Sequence, residues 1–121
     1  MDLDERLKVL VSGKVITEDI ERTVRRVIER FGSRWRIILT EENGSRMVTH
    51  LAMALMRIWQ KEEVSPLDED HYSEFKSSGQ FSRSVEITGD ICGWTPLELP
   101  ESERQYLVIN ICLILDDLNE G

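Results

Sequence analysis

At 121 residues, with 40% apolar and 31% charged side chains, the chain has the composition of one globular domain, 1–121, able to bury a core without staples. Its formal net charge of −8 argues against a nucleic-acid or membrane surface, because phosphate binding needs a concentrated positive face. No apolar run approaches the length of a bilayer span and the N-terminal MDLDERLK has no signal-peptide core, so a cytoplasmic protein is expected.

In chain order, Leu3, Leu7, Leu10 and Val11 recur at helical spacing over 2–12, and Gly13 supplies a stop. Thr17 is placed to cap a second helix whose first turn carries Glu18 and Asp19. Ile16, Ile20, Val24, Val27, Ile28 and Phe31 form its apolar stripe. Arg22, Arg25, Arg26 and Arg30 are interleaved with acids, which reads as a solvated face rather than a nucleic-acid site. Gly32 is expected to end that helix, Arg34 to Thr40 to form an irregular apolar connector, and Glu41 to Ser45 to form a turn, with Asn43 or Ser45 capping the central helix.

Met47 to Lys61, MVTHLAMALMRIWQK, is that central helix. Met47, Val48, Leu51, Ala52, Ala54, Leu55, Ile58 and Trp59 share one broad arc at 100° per residue, a face built to be buried. His50 lies just outside that arc, in a narrow stripe with Arg46, Arg57 and Lys61. A histidine edged by three cations is poorly placed for protonation or for a metal ion. It suits a negative group, and a phosphoryl group on the imidazole fits that setting. The competing reading is a boundary side chain whose ring fills a gap.

Ser65-Pro66-Leu67-Asp68 has the form of a helix start. The apolar positions over 66–92 predict two shorter helices broken at Ser77-Ser78-Gly79. His71, set among Asp68, Glu69, Asp70 and Glu74, reads as an exposed, solvated side chain. Trp94 and Leu97 are expected to pack back on the core. Pro100 opens a last helix that is apolar nearly all round from Tyr106 to Leu118, which places it either centrally or against a second chain. Asn110 interrupts it, as a specificity device or part of a site. Cys92 and Cys112 lack C-x-x-C or histidine spacing and are expected to be buried, reduced thiols.

Two segments carry a resemblance. THLAMALMR (Thr49 to Arg57) resembles the first histidine motif of the phosphotransferase-system regulation domain (PRD) family. LPESERQYLVIN (Leu99 to Asn110) is similar to the second, in which Leu-Pro, an acidic residue and a Tyr-Leu run lead to a second histidine. The resemblance spans nearly the whole chain. It implies a compact all-α bundle of about five helices, homodimeric, that receives phosphoryl groups from HPr or an EIIB component and so controls transcriptional regulation. Carried over by position, His50 is similar to the first phosphoacceptor and Arg57 to the arginine one helical face along from it, with Arg46 and Lys61 able to help neutralise phosphate. Glu103 falls at the family's acidic position. The chain departs at Asn110, which stands where the second histidine would, and an amide cannot accept a phosphoryl group as an imidazole can.

No RNA-binding, DNA-binding or transporter segment accompanies these motifs, so the chain reads as a stand-alone PRD whose output is dimerisation or docking onto a PRD-containing regulator or transporter subunit. The alternative is a phosphorylation-silent interaction module. An enzyme or metal-binding bundle is disfavoured: two histidines 21 positions apart offer no convergent ligands, no activated nucleophile is visible, and no cofactor is implied. On this reading His50→Ala leaves the fold intact and abolishes phosphorylation.

Overall fold

The computed structural model describes the backbone of residues 1–62 and 69–120 and the side chains of 1–62 and 72–118. The proposed start at Ser65-Pro66-Leu67-Asp68 and the surroundings of His71 lie outside the described residues. Six helices and no strand are present among them: α1 (Leu3–Ser12), α2 (Glu18–Trp35), α3 (Glu41–Trp59), α4 (Glu69–Phe75), α5 (Phe81–Cys92) and α6 (Glu101–Glu120). The fold is therefore all-α, and the expected break in the fourth stretch, at 76–80, separates α4 from α5.

Local chemistry explains where the helices begin. The Thr17 side chain accepts from the Ile20 N–H at the head of α2, which satisfies one of the orphan donors there. At α3, Glu41 to Ser45 forms the start of the helix itself and not the expected preceding turn. Thr40 is the cap. Its hydroxyl accepts from the Asn43 N–H at 3.2 Å, and the Asn43 side chain accepts from the Thr40 N–H at 2.8 Å, a reciprocal capping box with Asn in place of the usual Glu or Gln. Gly44 inside that turn lies against Leu39, where an added Cβ would come within 3.3 Å.

After α1, α2 and α3 the chain uses left-handed residues that are not glycine: Lys14, Arg36 and Lys61. Gly32 does not stop α2, which runs on to Trp35 and closes at Arg36 with φ 58°. Burial of Phe31 and Trp35 on the same stripe holds those last turns in place. α3 stops at Trp59, with Lys61 at φ 60°. The Glu62 N–H bonds to the Arg57 carbonyl and the Lys61 N–H to that of Ile58, a Schellman ending with Lys61 at the position glycine usually takes.

The core gathers Leu3 and Leu7 of α1, Ile20, Val24, Val27 and Phe31 of α2, Met47, Val48, Leu51 and Leu55 of α3, Ile87 and Ile91 of α5, and Leu107, Ile111, Ile114 and Leu115 of α6. α6 packs on α3, α4 and α5. Of the two placements its composition allowed, the central one is realised within the single chain, with only Leu113 and Leu118 notably exposed among its described apolar side chains. Trp59 departs from its expected place: it is 57% exposed at the last turn of α3, while Ala54 on the same arc is buried as expected. Trp94 is also exposed, under the Arg30 guanidinium at 5.0 Å, whereas Leu97 packs on the core. Arg30 also grips Asp90 of α5 through two bonds of 2.9 Å, and the Trp35 indole N–H donates to the same carboxylate at 2.9 Å. No helix among the described residues is long and apolar enough to cross a membrane.

Candidate functional site

The α3–α6 seam brings the two motif segments together. His50 lies near the middle of α3, one turn after Arg46. Glu103 lies in the first turn of α6, where the positive helix end favours a carboxylate. Tyr106 follows three residues later and Asn110 four after that, so the three share a face of α6. His50 Nε2 and Glu103 Oε2 are 2.6 Å apart across 53 residues of sequence. Below the imidazole lies the Tyr106 ring, with centroids 3.6 Å apart and planes 16° from parallel.

Burial makes this pairing consequential. The Glu103 side chain keeps only 6% of its exposure, while that of His50 keeps 26%. A carboxylate can only accept, so with Glu103 as the anion the donor is the Nε2–H tautomer of His50. That leaves Nδ1 as the other ring nitrogen, and its lone pair is available in the neutral ring. The imidazole is thus fixed in plane by the stack and in rotation by the carboxylate. A second network approaches the neighbouring residue. Arg6 Nε donates to both oxygens of Glu41 at 3.0 and 3.1 Å, and Arg6 also reaches Thr49 Oγ1 at 3.4 Å. The guanidinium holds Glu41 below the usual carboxylate value.

The cations predicted around His50 are arranged differently from the stripe. No hydrogen bond or ion pair among the described residues joins Arg46, Arg57 or Lys61 to the imidazole. Arg57 remains on α3 about 10 Å along the axis from His50. Lys61 lies past the helix end in the Schellman turn, so the i+11 projection does not apply to it. Arg46 instead borders a polar hollow of about 300 Å³ together with Ser45, Asn43, Asn110 and Asp117. Asn110, nearly buried, donates from Nδ2 to the Tyr106 carbonyl at 2.9 Å, one turn back on its own helix. The structure therefore pairs Glu103 with His50 and leaves Asn110 at the hollow that Arg46 borders.

Tyr106 is the site residue that sequence reasoning passed over as the start of an apolar run. Its signal was the Glu-x-x-Tyr spacing, which puts both side chains on one face of α6. The expectation that His50→Ala would be silent for folding also changes, because the truncation would strand a buried carboxylate. Cys112 is buried, and burial pushes its thiol up from the ordinary value. Cys92 is half-buried. Among the described residues no group of three metal-ligating side chains converges.

Two curated proteins are similar to the chain over most of their length. An uncharacterized protein of Escherichia coli, YhfY, is 28% identical over 109 residues, covering 90% of this chain and 91% of its own. An uncharacterized protein of Haemophilus influenzae is 27% identical over 107 residues, covering 88% of this chain and 83% of its own. No protein-family model matches the chain. No solved structure matches it.

Proposed function

We propose that the chain is a PRD-type regulatory domain that accepts a phosphoryl group on His50 from HPr or an EIIB component. Its output is a changed dimer or a changed docking surface for a PRD-containing regulator or transporter subunit, in the cytoplasm. One observation carries the reading: a partly exposed imidazole held at 2.6 Å by a buried carboxylate and stacked on a tyrosine ring. A histidine so oriented is prepared as a nucleophile, because one nitrogen is engaged and the other retains its lone pair. Arg46 and Arg57, on the same helix as His50, are the cations available to a phosphoimidazole. Lys61 would act only from the adjoining turn.

A second reading has its own support. Asn110 at the place of a second histidine is tied to its own helix, and no guanidinium among the described residues bonds to His50, as suits an interaction module that has kept the bundle and lost the chemistry. Intact-mass measurement separates the two. The protein is incubated with phosphoenolpyruvate, enzyme I and HPr, with and without EIIB, and kept at neutral-to-basic pH. One added phosphoryl group, absent from His50→Gln, is the expected result. No addition from any of these donors would leave the interaction module as the working function.

A further inference from the structure

We propose that His50 is an Nδ1 phosphoacceptor, with Glu103 as the positioning residue that selects this nitrogen, and that modification leaves the α3–α6 seam closed. The inference rests on the phosphoacceptor reading above and specifies its chemistry.

Nε2 faces Glu103 at 2.6 Å, and the carboxylate is the more buried of the two side chains. A phosphoryl group on Nε2 would occupy the carboxylate's place and set its own charge against a buried anion. Modification there demands that Glu103 leave the seam, with Tyr106 of the same helix turn losing its stack. Modification at Nδ1 demands neither. The Nδ1 lone pair attacks phosphorus, and the donor's P–N or P–S bond breaks with its electron pair remaining on the donor nitrogen or sulfur. The Nε2 proton stays where it is. The positive charge gained by the ring is shared with the Glu103 carboxylate, so the bond that orients the ring also stabilises its product. The signal is then a change of charge at the partly exposed His50 ring rather than an opening of the bundle.

Two donors test this. Phosphoramidate phosphorylates histidine without any partner protein, so it reports on the geometry alone; the phosphotransferase donors report separately on the functional reading. Protein labelled with ¹⁵N-histidine is examined by long-range ¹H–¹⁵N correlation before and after phosphoramidate treatment. The unmodified ring is expected as the Nε2–H tautomer. The product is expected to be the Nδ1 isomer by roughly ten to one or more. Glu103→Gln can donate to Nε2 instead of accepting from it, and this variant is expected to lower that ratio about tenfold. A purely structural role for Glu103 would change stability without moving the isomer ratio. An Nδ1–H tautomer, a dominant Nε2 product, or no phosphate on native His50 would each overturn the inference. The tautomer and the native isomer decide the matter even where Glu103→Gln fails to fold. An Nδ1 product from phosphoramidate with none from the phosphotransferase donors would uphold the geometry and reject the proposed function.

Discussion

Replacing His50 with alanine removes the hydrogen-bonding partner of Glu103, whose side chain is 6% exposed. A buried polar group left unpartnered costs about 1–3 kcal/mol, and more when it is charged. The lost stack on Tyr106 adds about 0.5–1.5 kcal/mol. Water entering the vacated, partly exposed ring position offsets some of this, so a net loss of about 2–4 kcal/mol is expected. With a urea m-value of about 2 kcal/mol/M for a chain of this size, the midpoint falls about 1–2 M below wild type. Urea unfolding followed by helical circular dichroism measures it. The cause is isolated by a cycle with Glu103→Met. Removing both partners leaves no stranded carboxylate, so the double variant is expected to recover at least about 1 kcal/mol relative to His50→Ala. His50→Gln, whose amide can still donate to Glu103, is expected to lose only about 1 kcal/mol, which is why it serves as the phosphorylation control. A His50→Ala midpoint within about 0.5 kcal/mol of wild type, or a double variant no more stable than the single, would refute the pairing as a stabilising contact.

Asp90 is held below the ordinary carboxylate value chiefly by the Arg30 guanidinium, against the opposing pull of burial and with help from the Trp35 N–H. The stability it contributes is therefore present above its unfolded pKa, near 3.8, and is lost as pH falls through the lower folded value; Asp90→Asn should flatten the acid limb of a thermal-stability profile. Thr40→Ala removes the capping box of α3 and should cost about 1 kcal/mol in urea. Lys61→Gly relieves a left-handed non-glycine residue and should stabilise by about 1 kcal/mol in the same assay. A thiol reagent should reach half-buried Cys92 before Cys112, which should react only on unfolding.

Periodicity made the helices and most of the core legible. Ile20, Val24, Val27 and Phe31 are buried together, as are Met47, Val48, Leu51 and Leu55, because an amphipathic stripe has only one face to bury. Ends were harder to read. Gly32 looked like a stop, yet Trp35 and its bond to Asp90 reward three further residues of helix. Glu41 to Ser45 looked like a turn because its composition is that of a loop; only the Thr40–Asn43 reciprocity makes it helical. The stripe that placed Lys61 beside His50 assumed a helix longer than the one formed, whereas Trp59 is the last residue of that helix and stays exposed although Met47, Val48, Leu51 and Leu55 of its arc are buried. As for the site, His50 and Glu103 could each be singled out, but their pairing could not, since 53 residues separate them and helix periodicity carries no information about which helices meet.

That separation gives the site a property of its own. The imidazole acquires its carboxylate and its ring partner only when the last helix has docked on the third. A chain interrupted before α6, or one whose C-terminal helix has come loose, retains the histidine but not the assembled site. Formation of the site therefore coincides with completion of the bundle, and the oriented histidine is itself a certificate that the chain has finished folding.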